Sequence, residues 1–239
     1  MSRTRICTAT ADDVTIRGKS LPKDLLGKVT FTELAWFQAL GAMPTPDQTA
    51  VLDACLCALM EHGLTPTVQA ARLTLGGSPE SLQGAVAAGL LGVGATFAGS
   101  MEACGVLLNA IVLGDDPDEI VRARPRVPGF GHPIHRREDP RATRLLTIAR
   151  ERTIAGANVA ALERLSEAVD RARGAHVPVN ATGAFAAVLL DAGAPAGILR
   201  GFALVARCAG LVGHLWEEQE ESAAWDLAVA GERAVPYEP

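Results

Sequence analysis

The chain has 239 residues and a mass of 24.9 kDa, enough for a single sizeable core or for a large helical domain with a small companion. Its net charge of −5, with no long basic run, leaves no electrostatic footprint for nucleic acid or for an anionic membrane surface. The composition is 49% hydrophobic and rich in Ala, Leu and Gly, which argues against disorder. The first residues, Met1 to Cys7, lack an apolar signal core, and Gly, Ser, Glu or Arg interrupts every apolar run short of bilayer length; a cytoplasmic protein with no membrane partner is expected. The five cysteines are odd in number and form no CxxC pair, so buried free thiols are expected rather than disulfides or a metal centre.

In chain order, Cys7 to about Val29 mixes Thr, Val and Ile with the turns Asp12-Asp13 and Arg17-Gly18-Lys19, predicting a short extended or hairpin-like lead. Helices follow. Thr30 with Glu33 forms a capping box, Thr45-Pro46 puts a cap ahead of a proline at the first helical position, and Thr65-Pro66 and Ser78-Pro79-Glu80 open two more helices. Further helices are predicted from Phe97 to Val112, Asp116 to Arg124, Pro140 to about Thr153, Val159 to Arg173, Ala181 to Asp191 and Pro195 to about Glu220. Strand patterning is otherwise nearly absent, so the predicted class is all-α. The small-residue runs Gly84–Gly89 and Ala181–Ala187 suggest helices packed at close axial distance.

The compositional break lies between Arg122 and Pro140, a stretch dense in Pro, Gly, Arg and His. Gly129 and Gly131 permit tight turning and close approach to a ligand, while Pro128 and Pro133 stiffen the loop that presents His132. The stretch reads as an anion-binding loop or, equally, as a solvated basic loop ending in a helix cap at Asp139-Pro140.

Gly129-Phe130-Gly131-His132 followed by Asp139-Pro140-Arg141 resembles the Gly-Phe-Gly-His-Arg-Val-Tyr-Lys-x-x-Asp-Pro-Arg signature of the citrate synthase superfamily. Other segments resemble the family in the same order. Glu61-His62-Gly63 is similar to its Asp-His-Glu or Asp-His-Gly segment, Gly94 to Glu102 to Gly-Pro-Leu-His-Gly-Gly-Ala-Asn-Glu, and Val179 to Thr182 to Pro-Asn-Val-Asp. Ala206 to His214 resembles the family's penultimate long helix. The tail with Trp225 and Tyr237 is similar to the citryl-CoA lyase module that ends ATP-citrate lyase.

That resemblance implies a multi-helical fold with a large domain (residues 1–115 and 196–239) and a small domain (116–195) carrying the loop. It also implies a carbon–carbon lyase or acyltransferase acting on a CoA thioester and a carboxylate such as oxaloacetate, with acetyl-CoA as the other product, and no tightly bound cofactor. His132 would exchange a proton with the hydroxyl of the oxaloacetate half, a task for which imidazole's pKa is suited. His62 would donate to a substrate oxygen; by itself, a His before Gly at a helix end is more often a cap. Arg141 and Arg207 would grip carboxylates through their planar forks. Arg141 in a first helical turn opposes the helix dipole, and Arg207 on an apolar face needs an anionic partner from protein or ligand. Gly129, Phe130 and Gly131 would line the CoA site, with Arg136 or Arg137 near its phosphates unless these two are simply solvated.

Three positions depart from the family pattern. Phe97 replaces the His that steadies the enolate, as in the ATP-citrate lyase module; Pro133 replaces an Arg; and Thr182 replaces the Asp that moves the proton at the acetyl α-carbon. A hydroxyl is a poor base at neutral pH, and losing a general base costs about 10²–10⁴ in rate. A working lyase, an enzyme diverted to another CoA thioester or carboxylate, and a non-catalytic binding homologue therefore all remain open. The apolar helices Gly84 to Val93 and Phe97 to Leu113 predict a helix-on-helix face of a homodimer or dimer of dimers.

Overall fold

The computed structural model describes residues 2–94 and 99–238. The lead is a three-stranded antiparallel meander of β1 (Cys7–Ala9), β2 (Val14–Ile16) and β3 (Lys19–Ser20), with Cys7 opposite Ile16 and Thr15 opposite Ser20. Arg17 fastens it to the first helix by donating to the carbonyls of Gln38 and Ala39, where a cation complements the helix C-terminus.

Eleven α-helices follow among the described residues: α1 (Phe31–Leu40), α2 (Pro46–Met60), α3 (Pro66–Gly77), α4 (Leu82–Leu91), α5 (Met101–Val112), α6 (Pro117–Arg122), α7 (Pro140–Glu151), α8 (Ala157–Arg173), α9 (Ala181–Asp191), α10 (Leu199–Glu220) and α11 (Ala224–Ala234). The all-α class read from the sequence is the class observed. The predicted capping box of Thr30 and Glu33 forms, and the predicted cap Thr45 forms one too, exchanging side-chain-to-backbone bonds with Gln48.

Several boundaries differ from the prediction, two of them for a visible reason. Ser78-Pro79-Glu80 lies in a turn, and α4 begins only at Leu82. The α8 start precedes the predicted Val159 because Asp191, from the end of α9, accepts from the amides of Gly156, Asn158 and Val159. Gly156 has no side chain to cap with, so a distant carboxylate supplies the cap. The last helix, α11, was not predicted. All five cysteines are free; Cys55 and Cys104 are buried as expected, whereas Cys7 and Cys57 are exposed.

The core centres on α9, where Ala181 and every residue from Gly183 to Leu189 are buried. Helices α2, α5, α7 and α8 surround it. A helix apolar on all sides needs such enclosure, and its small residues let neighbours approach closely. A second cluster joins α3, α4 and α10 through Val68, Ala71, Leu75, Ala85, Leu211 and Leu215. The segment Ala196–Glu220 is long and apolar enough, by length and composition, to cross a membrane. In this fold its helical part packs against α2, α3, α4 and α5 and carries the buried Arg207.

Candidate active site

The Gly129–His132 loop is held like a short strand against the residues preceding α9. Phe130 pairs with Val179, the Gly131 amide donates to the Pro178 carbonyl at 2.9 Å, and the Asn180 amide donates to the Gly129 carbonyl at 3.0 Å. Gly129 (φ +91°) lies so close to Gly183 that a Cβ on it would stand 2.9 Å from the Gly183 Cα and 2.7 Å from Cys104 Sγ. Only glycine fits both the positive φ and the approach.

Asp139, fully buried, ties the loop to two helix N-termini. It accepts from the Arg141 amide and Nε through Oδ1, and from Arg141 Nη2 at 2.8 Å and the Ala181 amide at 3.0 Å through Oδ2. Burial raises its pKa, but the Arg141 guanidinium and these amides outweigh that and hold the carboxyl below the usual range. The anion expected beside Arg141 is therefore first of all the protein's own. The Nε/Nη2 edge of Arg141 is committed to it, and the residue still borders the cavity.

That cavity, about 590 Å³, is lined by His62, Ser100, Gly131, His132, Arg141, Asn180, Thr182 and Arg207 with an apolar wall that includes Leu59, Leu64 and Ile134. Among the described residues no carboxylate lines it. Six of the residues predicted to form the site thus meet here. Gly129 and Phe130 support the loop from beneath. Arg136 and Arg137 are exposed outside the lining, with the Arg137 carbonyl 3.0 Å from His176 Nε2. Phe97 lies outside the described residues.

The His62 and His132 rings face one another with their Nε2 atoms 2.9 Å apart. His132 Nδ1 accepts from the amides of Ile134 and His135, at 3.1 and 3.0 Å. Since those amides can only donate, neutral His132 carries its proton on Nε2 and donates it to His62 Nε2, which presents the lone pair. Burial, with the neighbouring Arg141 and His135 for His62 and with His135 and His62 for His132, lowers both pKa values, so the pair is neutral at pH 7. His135 brings a third imidazole, and ring nitrogens of the three lie within 4.8 Å of one another. A metal on His132 Nε2 would require a proton on Nδ1, where two amides already donate, so the residues as arranged do not fit an ion.

His62 is itself anchored. Its amide and that of Gly63 donate at 2.7 Å to Glu61, whose other carboxylate oxygen lies 2.9 Å from His214 Nε2. Arg72, paired with Glu218 at 3.0 Å, reaches His214 Nδ1 from behind.

Arg207 is 5% exposed, and its Nε and Nη1 are buried without a hydrogen-bond partner. Burial lowers its pKa while Glu61 raises it. Arg207 also lines the cavity, and since buried polar groups are almost always paired, a guanidinium with two unpaired buried donors at its wall suits an anionic ligand there. Thr182 Oγ1 donates to Asn180 Oδ1 at 2.7 Å and lies 2.8 Å from Ser100 Oγ. Ser100, Asn180 and His135 were not among the predicted site residues. The first two sit inside segments that carried the resemblance, and His135 stands one helical turn's spacing beyond His132.

The cavity thus brings together a neutral histidine pair and a buried arginine with unpaired donors, residue types suited to carboxylate and proton-transfer chemistry. Residues 2–225 match the family model described as citrate synthase, C-terminal domain, and the chain belongs to that family. Its fold is similar to citryl-CoA lyase from Hydrogenobacter thermophilus, at 28% identity and TM-score 0.89 over 100% of this chain and 95% of that one. ATP citrate lyase from Methanosaeta concilii, as a D541A mutant in complex with (3S)-citryl-CoA, matches at 17% identity and TM-score 0.85, over the whole of this chain and 42% of that one. Citrate synthase from Thermotoga maritima matches at 19% identity and TM-score 0.69, over 82% and 55%. No curated protein sequence matches the chain.

Proposed function

We propose that the protein is a carbon–carbon lyase of a 3-hydroxy-polycarboxyl-CoA thioester such as citryl-CoA, releasing an oxo acid such as oxaloacetate and acetyl-CoA. The observation that carries this reading is Arg207, a buried guanidinium with two unpartnered donors that lines the same cavity as the His62–His132 pair. In the proposed reaction Arg207 and the remaining edge of Arg141 hold substrate carboxylates. The tertiary hydroxyl takes the place of the direct contact between the imidazoles, giving its proton to His62 Nε2 while His132 Nε2–H steadies the oxygen, the reverse of the roles the resemblance implies, because two amides donating to His132 Nδ1 leave the free lone pair on His62. The carbon–carbon bond then breaks, its electron pair leaving on the thioester α-carbon as an enolate. The likeness to a citryl-CoA lyase along almost the full length of both chains supports this choice over synthesis. CoA is substrate here and no tightly bound cofactor is invoked; the region of residues 116–195 would close over the ligand.

The second reading, action on another CoA thioester or carboxylate or binding without catalysis, is favoured by one feature, the absence of a carboxylate among the described lining residues. To test both, citryl-CoA is mixed with purified protein and oxaloacetate is followed through malate dehydrogenase, with His132→Ala alongside. Turnover lost in the variant supports the lyase. No turnover, with the melting temperature raised by CoA esters, supports the binder. We further propose a homodimer, because Leu91 and Leu113 are each 87% exposed and Val106 and Val112 stand out on α5; a monomer in sedimentation at micromolar concentration would refute it.

A further inference from the structure

Thr182, one of the three departures from the family pattern, touches Ser100, another position at which the chain differs from the quoted family segments. Thr182 stands at the family's Asp, and Ser100 stands where the quoted pattern has Ala; their hydroxyl oxygens lie 2.8 Å apart although 82 positions separate them in sequence. The contact has a direction. Asn180 Nδ2 donates to the Gly131 carbonyl at 3.0 Å, which fixes the amide so that Oδ1 faces α9 and accepts from the Thr182 and Gly183 amides. Oδ1 can only accept, so the single Thr182 hydroxyl hydrogen is spent on it at 2.7 Å. The bond between the hydroxyls must then run from Ser100 to Thr182. A chain Ser100 O–H to Thr182 O–H to Asn180 Oδ1 results, and its open end is the pair of lone pairs on Ser100 Oγ, which borders the cavity.

Such a terminus accepts a hydrogen bond but is far too weak to remove a proton from carbon. Ser100 has no competing duty, for although it occupies the N-cap position of α5 its side chain makes no cap bond.

We propose that Ser100 is a positioning residue whose Oγ holds a water molecule, and that this water protonates the thioester enolate released on carbon–carbon cleavage; the inference rests on the lyase reading above. The step balances. The electron pair of the broken bond on the α-carbon takes a proton from the water, and the hydroxide left behind is neutralised by the proton that the tertiary hydroxyl gave to His62. The hydroxyl chain supplies no general base, so the protein does not enolise acetyl-CoA on its own.

The experiment is citryl-CoA cleavage in D2O, with acetyl-CoA analysed by mass spectrometry, for wild type, Ser100→Ala, Ser100→Thr and Thr182→Val. Acetyl-CoA should carry a single deuterium. Ser100→Ala and Thr182→Val should lower kcat at least tenfold with KM changed less than twofold, at an unchanged melting temperature, and Ser100→Thr should restore kcat. Acetyl-CoA incubated alone in D2O should keep its methyl hydrogens. Exchange of those hydrogens by the wild type, or an unchanged kcat in Ser100→Ala, overturns the proposal while leaving the lyase reading intact. Absence of any cleavage by the wild type overturns both.

Discussion

Replacing Asp139 with Ala removes the acceptor of four hydrogen bonds: the Arg141 amide, Nε and Nη2, and the Ala181 amide. The N-cap of α7 contributes about 1 kcal/mol, and breaking a buried ion pair by deleting one partner costs about 3–5 kcal/mol. Arg141 sits at the cavity edge, where water can reach it, so the lower end applies and the sum is about 4 kcal/mol. For a chain of this length a loss of 1 kcal/mol lowers Tm by about 2–4 °C, predicting a fall of about 8–16 °C by calorimetry at pH 7. The sign of the pH dependence follows from the lowered folded-state pKa. The carboxylate's contribution is fully present above its unfolded value of about 3.9 and is lost as pH falls through the lower folded value. The gap between wild type and Asp139→Ala, measured by urea unfolding, should therefore hold from pH 7 to about 5 and close only below the ordinary Asp range. A shift under about 3 °C at pH 7 would refute the view that this carboxylate joins α7 and α9.

Other expectations follow from the same geometry. Arg207→Met removes an unpartnered buried charge, so the melting temperature should stay level or rise while citrate binding by calorimetry weakens at least a hundredfold, the loss of about 3 kcal/mol of charge-assisted bonds; unchanged binding would dissociate Arg207 from the ligand. Gly183→Ala puts a Cβ 2.5 Å from the Gly129 carbonyl oxygen, backbone against backbone, and should cost about 1–3 kcal/mol in urea unfolding; a neutral effect would show that the loop is free to shift. Because burial and neighbouring cations lower the pKa values of His62 and His132, the neutral pair persists down to below the ordinary value of about 6.5. The acid limb of kcat/KM should accordingly lie below that pH, and a limb centred above 7 would contradict the environment described.

What the sequence made legible was what local chemistry decides. Thr30 with Glu33 and Thr45 ahead of Pro46 cap their own helices within one turn, and Gly129 and Gly131 declare a loop that must turn at positive φ; both can be read from neighbours. Asp191 capping α8 and Asp139 capping α9 could not be read, because each partner lies on another element and only the packing of α7, α8 and α9 brings them together. Ser78-Pro79-Glu80 carries the grammar of a helix start and is used as a turn, since α4 is positioned instead by Gly89, whose missing side chain makes room for Leu211 and the Thr67 carbonyl. Within the site, His132, His62, Arg141 and Arg207 were recognisable as residue types suited to carboxylate chemistry. Their protonation states were not, because the tautomer of His132 is set by two backbone amides and that of the whole pair by a 2.9 Å contact between residues 70 positions apart.

The loss of a carboxylate at position 182 looks at first like the loss of the reaction, but its effect on the two directions of the chemistry is unequal. Condensation demands a base strong enough to take hydrogen from the carbon next to a thioester. The hydroxyl chain that stands in place of the family's carboxylate does not meet that demand, and the one free imidazole lone pair, on His62, is assigned to the alcohol oxygen. Cleavage asks for a base only at an alcohol oxygen, which the His62 lone pair can serve, and then for a proton donor to an enolate, which water can be. Arg207, with two donors left unpaired, favours the polyanionic substrate and the negative oxygen that develops as the bond breaks. The substitution at position 182 that removes a synthase-like base thus leaves a pocket whose remaining electrostatics still suit the lyase step.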